Sequence, residues 1–150
     1  MGPTETFIER FTELWAEPDP TRFPELFHPG ATLRHPGMTE PMDTSNIATY
    51  IGQLQAQAPD IRLVPTDWAQ AGDVLFIHFT MSATLGGELV EWGGVDRFVL
   101  DGDRAVDVVA YFDTLPLWVR LDPTMQRPSM VEFATMHAAT TASAGPGSLT

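Results

Sequence analysis

Between residues 4 and 16, TETFIERFTELWA, the apolar positions fall at Phe7, Ile8, Phe11, Leu14 and Trp15. That spacing lays one apolar stripe along a helix. Thr4 or Thr6 offers a cap at its start, and Pro18 and Pro20 stop it. Residues 21–27 predict a second, shorter helical piece with Phe23, Leu26 and Phe27 turned inward, broken by His28-Pro29-Gly30. Residues 31–35, ATLRH, read as a short strand that ends at Pro36-Gly37. Helical spacing returns over residues 44–58, where Ile47, Tyr50, Ile51 and Leu54 make the buried stripe and Thr44 or Ser45 the cap.

From residue 61 the pattern changes to strands. They are predicted over residues 61–68, 74–84, 89–100 and 105–113, with a weak point at Gly93-Gly94. Ala71-Gly72-Asp73, Leu85-Gly86-Gly87-Glu88 and Asp101-Gly102 supply the turns, the last being a strong hairpin signal. Beyond Leu121 the signal weakens to a short helix over residues 129–140, around Met130, Val131, Phe133, Ala134 and Met136, and a flexible tail, TASAGPGSLT. The expected organisation is one domain over residues 1–121 and a C-terminal extension over 122–150. Helices followed by an antiparallel meander predict an α+β domain. A strongly curved antiparallel sheet wrapped around the N-terminal helices would make a cone with a pocket at its open end.

With 150 residues, 43% of them hydrophobic, the chain can bury one core. It has no cysteine, which removes disulfide and thiolate chemistry. The net charge is −12 and every basic residue is Arg. Such a chain has no positive stripe for phosphates, so neither nucleic acid nor an anionic membrane surface is an expected partner. No apolar run is long enough to span a bilayer, and MGPTETFIER lacks the features of a signal peptide, so a cytoplasmic protein is expected. The histidines, at 28, 35, 78 and 137, show no metal-ligand spacing, and no Gly-rich phosphate loop or nucleophile elbow is present. No cofactor is expected.

The Asp101-Gly102 hairpin assigns faces to the last two strands. A two-residue loop sets Asp96 opposite Asp107 and a four-residue loop sets it opposite Val109, and the faces come out the same. One face holds Gly94, Asp96, Phe98, Asp107, Val109, Tyr111 and Asp113; the other holds Val95, Arg97, Val99, Val106, Val108, Ala110 and Phe112. The first face, mixing carboxylates with aromatics, suits the wall of a ligand cavity. The second, almost wholly apolar on the final strand, then needs a cover, and a homodimer is the simplest one. Phe11, Trp15, Tyr50, Leu54, Trp68, His78, Trp92, Phe98, Tyr111 and Asp113 are the candidate lining residues.

Four segments carry a resemblance: the helix ending in LWAEPDP, the stretch RFPELFHPGATLRHPG, the helix from Ser45, and RFVLDGDRAVDVVAYFD. In order and spacing they resemble the nuclear transport factor 2-like superfamily, which includes ketosteroid isomerases, SnoaL-like polyketide cyclases and limonene epoxide hydrolases. The resemblance spans residues 4–118. In the ketosteroid isomerase branch the general base is an Asp at the end of the early strand, before Pro; the matching residue is His35, in LRHPG. The protonated, hydrogen-bond-donating Asp of that branch matches Asp96, in GVDRF. Its oxyanion tyrosine, on the first helix, falls on Phe11. The Asp-Arg-Asp pattern of the epoxide hydrolases has no counterpart, because VLFIHFTMSAT lacks the charges and Ala110 precedes Tyr111-Phe112-Asp113.

The resemblance implies a cofactor-independent isomerase or cyclase acting on a hydrophobic carbonyl compound such as a polyketide, steroid or terpenoid. His35 would be the base, because an imidazole titrates near ~6.5. Asp96, desolvated and therefore protonated, would donate to the developing oxyanion. Two other readings fit the same features: a non-catalytic module that binds hydrophobic ligands or dimerises, and a cyclase whose apolar walls template the substrate.

Overall fold

The computed structural model describes residues 1–122, 124, 130–132 and 134–136. Helix α1 runs over Pro3–Ala16, with Gly2 at its N-cap and Pro3 in the first turn. Proline suits that position because its missing N–H would be unpaired there anyway. Neither threonine caps the helix: Thr4 is buried, and the Thr6 hydroxyl donates back to the Gly2 carbonyl at 3.0 Å. The short helix expected over 21–27 shrinks to a 3₁₀ turn, Phe23–Leu26.

Strand β1 is longer than expected, Phe27–Arg34, and runs through Pro29-Gly30. Its neighbour β2, Met42–Asp43, reaches only Thr32 and Leu33, which leaves one side of the earlier residues unpaired. A residue without an N–H is tolerated on such an edge. Gly30 takes a φ of +80° where the register with the neighbouring strand slips.

A 3₁₀ turn, Thr44–Asn46, opens α2, Ile47–Gln57. The Asp43 carboxylate, not Thr44 or Ser45, caps it, accepting from the Ser45 N–H at 2.8 Å. Four strands follow: β3 Arg62–Ala71, β4 Val74–Leu85, β5 Glu88–Asp101 and β6 Arg104–Phe112. A last helix, α3, covers Leu115–Leu121.

The sheet is a curved, six-stranded and mixed one in the order β2-β1-β6-β5-β4-β3. Strands β3 to β6 form the expected antiparallel meander, but β1 pairs parallel to β6. The sheet therefore stays open, with β2 and β3 as its edges. Phe7, Phe11 and Leu14 of α1 are buried against its inner face, where the Phe98 ring meets those of Phe7 and Phe11 at 4.8 and 5.5 Å. Burial of each such side chain contributes about 1.5–3 kcal/mol. Arg10 fastens α1 to the β5–β6 hairpin through the Asp103 carboxylate at 2.7 Å.

That hairpin holds the main departure from the sequence reading. At its tip Asp101 faces Arg104 and Leu100 faces Ala105, yet Val99 faces Asp107. Val106 has no partner and forms a bulge. One extra residue reverses the side-chain alternation of β6 from that point on. Asp96 consequently faces Ala110, not Asp107 or Val109. The inner face carries Asp96, Phe98, Val108, Ala110 and Phe112, and the outer face Asp107, Val109 and Tyr111. The apolar run on β6 that called for a covering partner is thus covered by the chain's own helices.

In the C-terminal extension residues 130–132 and 134–136 are helical, and Met130, Val131 and Met136 are exposed. Residues 129, 133 and 137–140 of the expected helix and the tail over 141–150 lie outside the described residues. No helix among the described residues is long and apolar enough to cross a membrane.

Candidate active site

A cavity of about 220 Å³ lies between α1, α2 and the inner face of the sheet. Its walls are mostly aromatic and aliphatic. Phe11 and Trp15 come from α1, Tyr50, Ile51 and Leu54 from α2, Phe98 from β5 and Phe112 from β6. Two titratable groups besides Tyr50 reach it, His35 and Asp96.

His35 stands one residue beyond β1, and the alternation that turns Leu33 inward turns His35 inward as well. A tight turn holds it there. The Met38 N–H donates to the His35 carbonyl at 3.2 Å, with Pro36 and Gly37 (φ +85°) between them. Pro then Gly with positive φ is the residue order of a type II turn. The imidazole Nδ1 lies 2.8 Å from the Tyr50 hydroxyl, and the ring meets Phe112 edge-on at 5.9 Å. Burial pushes its pKa down to about 4, so the ring is neutral at neutral pH.

Asp96 projects from the inner face of β5 and is only 8% exposed. It has no hydrogen bond or ion pair among the described residues. The one buried side-chain polar atom both sealed off and unpaired among them is Trp92 Nε1. The carboxyl of Asp96 therefore opens onto the cavity. Burial raises its pKa to about 7. Tyr50 is raised to about 12, first by burial and then by the negative charge of Asp96, so its phenol keeps its proton.

Gly94 makes room on this wall. A Cβ there would lie 2.7 Å from Phe112 Cβ, from the tip of the Phe79 ring and from the Tyr111 carbonyl. The Gly93-Gly94 pair does not weaken β5, which runs unbroken through it.

Of the residues expected in the wall, His35, Asp96, Phe11, Trp15, Tyr50, Leu54, Trp92 and Phe98 line the cavity. Four lie elsewhere. Trp68 faces Ile77 at the β3 edge of the sheet and is 46% exposed. His78 alternates to the outer face of β4, where Nδ1 contacts Thr66 Oγ1 at 2.8 Å and Asp67 Oδ2 at 3.2 Å. Tyr111 is turned outward by the Val106 bulge. The Asp113 carboxylate, expected to line the pocket or orient a histidine, instead accepts the Leu115 N–H at 2.9 Å at the start of α3. Asp107 is also outside, holding Thr32 Oγ1 at 2.7 Å with Arg97 at 3.7 Å. Phe79, Met81 and Phe112 belong to the wall without having been anticipated. For Phe112 the bulge is the reason. For Phe79 and Met81 the available signal was the alternation along β4. Among the described residues no group of three His, Cys, Asp or Glu side chains could hold a metal ion.

The sequence profile of the SnoaL-like domain matches residues 8–108, from α1 through most of β6. The chain belongs to the SnoaL-like domain family. Among solved structures, this SnoaL-like chain is similar to AclR, a proposed hydroxylase from Streptomyces galilaeus, at 16% identity and TM-score 0.72, over 94% of each chain. It is similar to IdmH, a proposed polyketide cyclase from Streptomyces antibioticus, at 20% identity and TM-score 0.68, over 79% of this chain and 97% of that one. A hypothetical protein with a ketosteroid isomerase-like fold from Catenulispora acidiphila, in complex with trimethylamine, matches at 15% identity and TM-score 0.64, over 70% and 83%. At these identities the likeness concerns the fold. No curated protein matches the sequence.

Proposed function

We propose that this SnoaL-like protein is a cofactor-independent isomerase or cyclase that moves a proton next to the carbonyl of a hydrophobic small molecule, such as a polyketide, steroid or terpenoid. One observation carries the reading: a neutral imidazole and an unpaired carboxyl open onto the same apolar cavity. His35 Nε2 takes a proton from the carbon next to the carbonyl. The C–H electron pair becomes the enolate double bond, and charge develops on the carbonyl oxygen. Protonated Asp96 donates a hydrogen bond to that oxygen. Isomerisation ends when His35 returns the proton to a different carbon. Cyclisation ends when the enolate carbon attacks a second carbonyl carbon of the same molecule, the π pair of that carbonyl moves to its oxygen, and that oxygen takes the proton back from His35. The likeness to IdmH and to the ketosteroid isomerase-like protein supports this choice of chemistry.

The competent state has His35 neutral and Asp96 protonated, which holds between about 4 and about 7. The test is kcat/KM against pH with enolisable aromatic polyketide and steroid ketones. Activity should fall as pH rises through about 7 and again as it drops through about 4. An activity that rises through the upper value would reverse the two roles. Wild-type rates in both His35→Ala and Asp96→Asn would leave the cavity as a template or a binding site only. We also propose a homodimer through the outer sheet face, where Phe76 and Tyr111 are exposed. Light scattering on the eluted protein tests it, and a monomeric mass overturns it.

A further inference from the structure

A neutral imidazole carries one hydrogen, on Nδ1 or on Nε2, and the nitrogen without it is the base. In His35 the two positions are not equivalent. Nδ1 is engaged by the Tyr50 hydroxyl at 2.8 Å. Nε2 has no partner among the described residues. The Tyr50 ring packs against the imidazole with centroids 5.1 Å apart, and both side chains line the cavity. A phenol can accept one hydrogen bond and donate another at the same time.

We propose that Tyr50 is a positioning residue for His35: its oxygen accepts the Nδ1–H, which leaves the lone pair on Nε2, open to the cavity. The inference rests on His35 acting as the base. It assigns Tyr50 a task that a wall residue does not have. Because its own O–H is not spent on His35, that hydrogen is free to turn toward the cavity that Tyr50 lines. The opposite arrangement, with Tyr50 donating to Nδ1, would put the hydrogen on Nε2 and make His35 a donor. Sequence alone could not separate Tyr50 from Ile47, Ile51 and Leu54 on the same helix stripe; only the hydroxyl contact does.

The experiment needs no substrate. Protein labelled with ¹⁵N-histidine is recorded in long-range ¹H–¹⁵N spectra near neutral pH, with His35→Gln assigning the His35 signals. In the wild type Nδ1 should be the protonated nitrogen and Nε2 the bare one. In Tyr50→Phe, which keeps the ring, the tautomer ratio should shift toward Nε2–H by about fivefold to tenfold, the equivalent of one hydrogen bond. A wild-type spectrum with the hydrogen on Nε2 overturns the inference. So does an Nδ1–H that survives unchanged in Tyr50→Phe, and in that case the base assignment still stands. An unchanged Nδ1–H in Tyr50→Phe thus sinks the inference alone, whereas Nε2–H in the wild type sinks the base assignment with it, so the two failures are separable. Should Tyr50→Phe fail to fold, Tyr50→Leu carries the same arm, and the wild-type spectrum remains decisive.

Discussion

The two faces of the sheet carry the same residue types in opposite states. On the inner face Asp96 is buried and unpaired, and its pKa is raised to about 7. On the outer face Asp107 holds a threonine hydroxyl and an arginine. The histidines divide the same way. His35 is desolvated against aromatic rings, whereas His78 is exposed beside Thr66 and Asp67. Identical side chains are desolvated or partnered and solvated according to which side of one backbone they occupy. Desolvation without a charged partner is what moves Asp96 and His35.

The largest effect that would break this contrast is on turnover. His35→Ala should lower kcat by about 10²-fold or more, the usual worth of a general base, while His78→Ala stays within about twofold. Steady-state kinetics on both variants checks it; equal losses would erase the distinction between the faces.

Next in size is the pH dependence of stability. Asp96, raised from 3.8, contributes stability that is complete below that value and lost as pH rises through about 7. His35, lowered from 6.5, contributes stability that is complete above that value and lost as pH falls through about 4. Between about 4 and 6.5 the two trends oppose each other and cancel in the wild type. Relative to it, Asp96→Asn should gain stability with rising pH, and His35→Gln should lose it, each by about 1 kcal/mol per pH unit. Urea unfolding across that interval measures both slopes; slopes of one sign would refute the pairing.

Gly94→Ala should follow, destabilising by about 1–3 kcal/mol through overpacking against Phe79 and Phe112. Thermal unfolding reads it, and an unchanged midpoint would mean the wall yields. The smallest effect belongs to the outer face. Arg97→Ala removes a partly exposed pair at 3.7 Å and should cost less than about 1 kcal/mol. A larger loss would show that this face is not the inert one.

Much of the fold was legible from local pattern. Helical stripes, the glycine turns and the apolar strand runs between them are short-range signals, and α1, α2 and β3 to β6 fell close to where they pointed. What stayed hidden was non-local or off-pattern. The parallel pairing of β1 with β6 joins segments far apart in the chain. The Val106 bulge was invisible because Val106, Val108, Val109 and Ala110 are apolar on both sides of it, so hydrophobicity could not report which face was which. Asp96 and Phe98 were placed inward correctly because they precede the bulge, and Tyr111 was misplaced because it follows. The contact between His35 and Tyr50 depends on how α2 docks over β1, which no spacing encodes.

Val106 gives this strand a place where a change of length is absorbed. Deleting that single position would leave Val99 opposite Asp107 and Phe98 opposite Val108, so the ladder would close up with both faces unchanged. Losing a paired position further along β6 would instead turn every later side chain to the opposite face, so one missing codon is silent at the bulge and rewrites the hollow a few residues on.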